Sequence, residues 1–271
     1  MFKILIIGYS SLVKRRVIKS LNENNIPYDV ASRSKKQKDL NAEKWYNGYN
    51  KALNNSNADI AYVSLPNSLH YIWGLKALKK NFHIIIDKPA TITMEELNKL
   101  INLAKKKKKI FSEATFFNYH GQIKSILGKI KKKEVKKINA KFLIPKPKKK
   151  SILLSYKLKG GVVMDMGPYV ATISRLIFKS KPKKMIKNII LSNKITKKLK
   201  IFFTYKKSFF NGEFSHDDNY KNLLEIYLKD RVIKLSRVFS PPPNENLETI
   251  EIKENKIKTK KFSDDAFINY I

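Results

Sequence analysis

Short apolar runs alternate with longer stretches in which apolar side chains return every three to four positions, and this rhythm governs the N-terminal part of the chain. The runs fall at Lys3–Ile7, Tyr28–Ser32, Ile60–Ser64, His83–Asp87 and Ile110–Ala114, and predict β-strands. Between them, Leu12–Asn24, Leu69–Lys80 and Met94–Lys107 carry the helical period, as in Leu97, Leu100, Ile101 and Ala104. Strands that alternate with helices predict a Rossmann-like parallel sheet with helices on both faces, because parallel neighbours need crossover connections.

From Tyr119 the rhythm changes. One helix, a lysine-rich strand, a Gly160-Gly161 turn and a helix through Phe178 lead into successive extended runs. Ile186–Leu191, Lys200–Tyr205, Leu223–Leu228, Val232–Leu235 and Thr249–Ile252 follow without intervening helices, so they predict an α+β domain built on a large, mostly antiparallel sheet. The division expected is 1–118 for a dinucleotide-binding domain and 119–271 for an α+β substrate-binding and oligomerisation domain. The segment from Ser263 to Ile271 opens like a capped helix, with Asp264 and Asp265 in its first turn, and stops after roughly two turns.

Composition narrows the class. No apolar run approaches the roughly 20 residues of a spanning helix. The opening apolar segment runs straight into a glycine turn, which reads as a first strand and places the chain in the cytoplasm. With no cysteine, disulfides, thiolate metal sites and cysteine nucleophiles are excluded, and no set of ligands points to a metal. The net charge of +35 raises nucleic acid as a partner, since clustered cations bind phosphates nonspecifically. Arginine, however, occurs only at 15, 16, 33, 175, 231 and 237. The charge is therefore lysine, spread over solvated faces such as Lys105–Lys109 at a helix end and Lys146–Lys150 in a loop. Nucleic acid is disfavoured on that ground, while anionic substrates such as nucleotide-sugars are still attracted.

Candidate cofactor contacts lie where strands end. After the first strand, Gly8-Tyr9-Ser10-Ser11-Leu12-Val13 occupies the place of a G-x-G-x-x-G fingerprint, with only the first glycine present. Following a strand and opening a helix, Gly8, Ser10 and Ser11 can still hold a pyrophosphate on backbone N–H groups; an ordinary βα turn fits the same residues. The second strand ends in Ala31-Ser32-Arg33-Ser34-Lys35, without the acid that would bind the ribose of NAD. Ser32 can donate to a 2′-phosphate and Arg33 can pair with it, favouring NADP(H) with NAD as the alternative, against a merely solvated Arg33. Leu65, Pro66 and His70 form the loop after the third strand, with His70 expected to close over the cofactor.

Two further patterns carry chemistry. Lys88 ends an apolar strand and precedes Pro89, an odd place for a surface lysine, and Gly160-Gly161 is followed by Asp165-x-Gly167-x-Tyr169 on one helix. Together, Asp87-Lys88-Pro89 (in place of the more usual Glu-Lys-Pro) and the glycine–aspartate–tyrosine run resemble the oxidoreductases grouped as glucose–fructose oxidoreductase, inositol dehydrogenase and rhizopine-catabolism proteins. Tyrosine at the last position, with Gly8-x-Ser10 and Arg15-Arg16, is similar to the branch of NADP-dependent sugar ketoreductases. The resemblance implies hydride transfer to or from a sugar or nucleotide-sugar and a homodimer or homotetramer. It implies Lys88 as the cation at the carbonyl oxygen, Tyr169 as general acid and Asp165 as the group orienting Lys88 or a sugar hydroxyl. Asp87 is expected beside the cofactor, and Tyr119, His120 and Gln122 near the sugar. It also implies a terminal helix, here cut short. Read without the resemblance, Tyr169 fits a core aromatic and Asp165 a helix cap. Two rivals stand beside the enzyme: a degenerate, non-catalytic relative and a basic nucleic-acid-binding protein on a Rossmann-like core.

Overall fold

The structure, a computed structural model, describes residues 2–34 and 40–271, so Lys35 at the end of the second strand lies outside the described residues. The chain divides into two compact units. Unit 1 is residues 1–114 with 157–159 and 271, and unit 2 is residues 115–156 with 160–270.

Unit 1 is a six-stranded sheet: β1 (Ile4–Ile7), β2 (Tyr28–Ser32), β3 (Trp45–Asn47), β4 (Ile60–Val63), β5 (His83–Asp87) and β6 (Phe111–Ala114). All neighbours are parallel, in the order β3-β2-β1-β4-β5-β6. Sequence order reverses between β1 and β4, the switch point at which open α/β sheets leave a crevice beyond the carboxyl ends of the strands. Leu5, Ile7, Val63, Ile84 and Ile86 pack with Ala77, Leu78 and Leu100 of the crossover helices, α3 (Asn67–Lys79) and α4 (Met94–Lys106). The chain is helical from 11 to 23, opening through a π-turn, Val13–Val17, into α1 (Ile18–Glu23). A capping box fixes the start of α4: Thr93 Oγ1 accepts from Glu96 N while the Glu96 carboxylate accepts from Thr93 N. Lys105 and Lys106 lie in its last turn, where cations complement the helix dipole.

The pattern did not reveal β3 or α2 (Tyr49–Asn55). Each spans two turns or less, too short for a period to register.

Unit 2 is an eight-stranded sheet, ordered β14-β13-β12-β11-β7-β10-β9-β8. Its strands are β7 (Lys137–Leu143), β8 (Lys184–Ser192), β9 (Ile195–Thr204), β10 (Phe209–Ser215), β11 (Lys221–Tyr227), β12 (Val232–Ser236), β13 (Leu247–Lys253) and β14 (Lys256–Phe262). Every pairing is antiparallel except β7 with β10. The core gathers Ile138, Phe142, Phe210, Phe214, Leu224 and Leu235 of the sheet under Met166, Val170 and Ile173 of α6 (Val162–Phe178), with Ile123 and Ile126 of α5 (Gly121–Leu127). Two strands went unread in the sequence. β10 is interrupted by Gly212, and β14 is so rich in lysine that it looks solvated.

The final segment differs from expectation. Residues 266–270 form a turn and not a helix, with Asn269 N donating to Asp265 O and Phe267 N to Asp265 Oδ1. Asp264 serves another element, since its carboxylate accepts from Gly121 N at 2.9 Å and so caps α5 from across the chain. Phe267 stacks on Phe116 and anchors the turn.

Candidate active site

In unit 1 the residues singled out from sequence line the carboxyl ends of β1, β2, β4 and β5. Gly8 follows β1 with φ +105°, and a Cβ there would stand 2.2 Å from the Ser64 carbonyl oxygen. Both the dihedral and the approach demand glycine. Ser10 replaces the second fingerprint glycine and acts as a cap: its Oγ accepts from Val13 N at 3.1 Å, and its carbonyl accepts from Lys14 N. Ser11, exposed, opens the helix, and Arg15 Nε donates to its carbonyl. At the end of β2, Ser32 is buried and its Oγ lies 2.8 Å from Ser34 Oγ, while Arg33 is exposed.

A polar string crosses this end of the sheet. Ser10 Oγ meets Ser64 Oγ at 2.8 Å, Ser64 Oγ donates to Asp87 Oδ2 at 2.6 Å, and Tyr62 OH donates to Asp87 Oδ1. Burial pushes the Asp87 carboxyl above its ordinary range, against the hydrogen bonds of Ser64 and Tyr62 and the charge of Lys88, which favour the ionised form. Asp87 thereby ties β4 and β5 together at the base of Lys88, which is partly buried at the end of β5. His70, on α3, is 1% exposed. Its Nδ1 lies 2.7 Å from the Pro89 carbonyl and its Nε2 2.6 Å from the Leu65 carbonyl, so the ring clamps the loop after β4, where Pro66 precedes α3, to the turn after Lys88.

In unit 2, Gly160 and Gly161 allow α6 to start where it does. A Cβ on Gly160 would lie 2.4 Å from the Ile152 carbonyl oxygen, and one on Gly161 (φ +101°) 2.5 Å from Thr196 Oγ1. Gly161 is the N-cap residue, so Asp165 is not the cap. The capping oxygen comes from β9, where Thr196 Oγ1 accepts from Val163 N at 3.1 Å. Asp165 stands in the first helical turn, and its Oδ2 lies 2.9 Å from Nε2 of His216. Tyr169 follows one turn later on the same face. Its ring packs at 5.4–5.6 Å between centroids against Phe117, Phe142 and Phe239, and it stays partly exposed. Tyr119 meets Tyr270 edge-on. Gln122 is fully buried, and its amide donates to the carbonyls of Ser236 and Glu248, which fastens α5 to the sheet. His120 caps α5 by accepting from Gln122 N on Nδ1.

Sequence reasoning missed Tyr62, Ser64, Thr196 and His216. His216, one of only four histidines, stands in Ser215-His216-Asp217-Asp218, a run that does not name Asp165 as its partner. Among the described residues no group of three or more His, Asp or Glu side chains could hold a metal, and no helix is long and apolar enough to cross a membrane.

Residues 2–115 match the model of the Gfo/Idh/MocA oxidoreductase family, NAD-binding Rossmann fold. The dTDP-3,4-didehydro-2,6-dideoxy-α-D-glucose 3-reductase of Saccharopolyspora spinosa is 31% identical over 131 residues, 47% of this chain and 40% of that protein. The enzyme of the same name from Streptomyces violaceoruber is 26% identical over 187 residues, 66% of this chain and 55% of its own length. A D-xylose 1-dehydrogenase (NADP(+)) of Haloferax volcanii is 27% identical over 139 residues, 48% and 41% of the two chains. The chain thus spans about half the length of the curated relatives it matches. A 3-ketoreductase from Actinomadura kijaniata, solved with NADP and TDP-benzene, superposes with a TM-score of 0.88 at 20% identity over 99% of this chain and 86% of that one. A UDP-N-acetylglucosamine 3-dehydrogenase from Acidithiobacillus ferrooxidans does so at 0.82 and 14% identity, over 99% and 85%. At these identities the structures share the fold. The likeness to the Gfo/Idh/MocA oxidoreductase family thus lies in residues 2–115, the stretch that carries the parallel sheet and its glycine turn.

Proposed function

We propose that the protein is an NADP(H)-dependent oxidoreductase that reduces a keto group of a sugar or nucleotide-linked sugar. The observation that carries this reading is the placement of Asp87-Lys88-Pro89 at the carboxyl end of β5, next to β4, whose end packs on the Gly8 turn at the switch point of the sheet. A lysine there stands at the end of the sheet beyond which such folds bind ligands. The relatives named above are sugar reductases and dehydrogenases, one described as NADP-dependent and one solved with NADP.

The residues of unit 1 fit a dinucleotide. The space that a Cβ on Gly8 would fill is needed for backbone to approach closely, and the N-terminus of the helix at 11–23 offers N–H groups to a pyrophosphate. Ser32 and Arg33, with no carboxylate at the end of β2, suit a 2′-phosphate. The dinucleotide would supply a hydride from its nicotinamide ring. The protein would supply the rest. Negative charge grows on the ketone oxygen as it is reduced, so the ammonium of Lys88 stabilises it and the Tyr169 phenol protonates it. Asp165 orients Lys88 or a sugar hydroxyl, and Tyr119 borders the sugar. Residues 1–118 would serve as the dinucleotide-binding domain and 119–271 as the substrate domain. Its sheet face opposite α6, where Phe202 stacks on Phe209, would join copies into a dimer or tetramer.

The test is a fluorescence titration with NADPH and NADH followed by turnover assays on TDP- and UDP-linked ketosugars. The reading expects tighter NADPH binding and measurable reduction, abolished in Lys88→Met and lowered roughly 100-fold in Tyr169→Phe at unchanged NADPH affinity. Full activity in either variant refutes the assigned chemistry.

A further inference from the structure

Asp165 keeps 20% of its side chain exposed, enough to meet a ligand, yet a carboxylate on a first helical turn is free to rotate unless something holds it. His216 does so. Its ring is fully buried, and its Nε2 stands 2.9 Å from Asp165 Oδ2. The backbone that carries it is fixed on both sides. His216 N donates to the Lys197 carbonyl, Ser215 pairs with both Leu143 and Lys198, and Asp218 N donates to the Ile144 carbonyl. Lys198 also pairs with the Asp218 carboxylate at 2.9 Å. With Thr196 capping Val163 from the neighbouring strand, the first turn of α6 is docked to the β9–β10 pair at two points.

We propose that His216 is the positioning residue for Asp165: its Nε2–H holds Oδ2 and so fixes the plane in which the carboxylate serves the reaction. This rests on the functional reading above, in which Asp165 serves the reaction. The ring acts in its Nε2–H tautomer. Nδ1 is buried with no hydrogen-bond partner among the described residues, so a proton there would have nothing to accept it. Orientation of this kind matters because reacting groups tolerate little displacement: a shift of about 1 Å can lower the rate on the order of 10²-fold.

The experiment combines nitrogen NMR of the full chain with kinetics. Four histidines give a simple spectrum under selective ¹⁵N-histidine labelling, and His216 is assigned by its loss in His216→Gln. The expected spectrum shows an Nε2–H tautomer at His216 that shifts in Asp165→Asn. In turnover of a TDP-linked ketosugar, His216→Leu is expected to lower kcat roughly 10- to 100-fold with NADPH affinity and KM little changed. His216→Gln, whose amide presents an N–H near the position of Nε2, recovers most of that loss; a purely space-filling role would favour leucine over glutamine. Circular dichroism and melting curves check that each variant folds. A His216 resonance indifferent to Asp165→Asn overturns the pair, whether or not any sugar is reduced. Wild-type kcat in His216→Leu, on a substrate that Asp165→Asn no longer turns over, overturns the positioning role and leaves the reductase reading intact. A wild-type protein that reduces no ketosugar counts against that reading, and the NMR comparison still decides the pair.

Discussion

Two glycines show how one substitution acquires opposite signs. Gly8 has a positive φ and a backbone carbonyl 2.2 Å from where its Cβ would sit, so Gly8→Ala must displace the end of β4 or strain its own dihedral. We expect a loss of roughly 2–4 kcal/mol in chemical denaturation, with weakened NADPH binding. Gly167 lies inside α6 with nothing within 4 Å of the place an added methyl would take, so Gly167→Ala should raise stability by about 0.5–1 kcal/mol in the same measurement. If that variant loses turnover while gaining stability, the space beside Gly167 is reserved for a ligand. The residue type and context announced Gly8, Gly160 and Lys88 in the sequence, because each breaks a local rule. His216 broke none. Its meaning resides in a contact with Asp165, 51 positions away, and no local pattern encodes such a partner.

At the scale of elements, α5 depends on groups distant in sequence. Its N-cap His120 accepts from Gln122 N on Nδ1, while Nε2 lies 3.0 Å from Asp264 Oδ1, an arrangement that suits a neutral ring protonated on Nε2. Burial holds the His120 pKa below the ordinary imidazole value, and the charges of Asp264 and Asp265 only partly offset it. The unfolded chain therefore takes up this proton at a higher pH than the folded one, near the ordinary value of about 6.5. Stability contributed by neutral His120 is complete above that pH and is lost as pH falls toward the depressed folded value. His120→Asn retains a capping oxygen and removes the titration. Its melting temperature should fall less than that of the wild type as the solution is acidified below about pH 6.5; parallel curves would refute the assignment. The acids at 264 and 265 had looked like the opening of a helix because acids at a first turn are favourable for any helix. Sequence order could not say that Asp264 caps α5 while Asp265 holds its own turn.

At the scale of the molecule, unit 1 is polarised along its strands. At their amino ends Lys3, buried, gathers Asp29 at 2.8 Å, Glu43 at 2.6 Å and Asn57 at 3.1 Å, binding together β1, β2 and the segments that precede β3 and β4. Asp29 has no exposed side-chain surface, so Lys3→Met would strand its charge. We expect a loss of about 3–5 kcal/mol, read as a lowered denaturation midpoint with the slope unchanged. The change from alternating to continuous strands at Tyr119 made both units legible in outline, since period and connection length fix parallel against antiparallel pairing. The short β3 and α2 and the lysine-rich β14 stayed hidden because their pairing comes from neighbours already in place. At the opposite pole, the string from Ser10 through Ser64 to Asp87 has a direction. A hydroxyl has a single hydrogen, so an ionised acceptor at one end turns each rotor the same way and leaves the Ser10 oxygen facing Val13 N. Whatever neutralises Asp87 releases those rotors in sequence, and the first turn of the opening helix would register, three residues removed, a protonation event at the foot of Lys88.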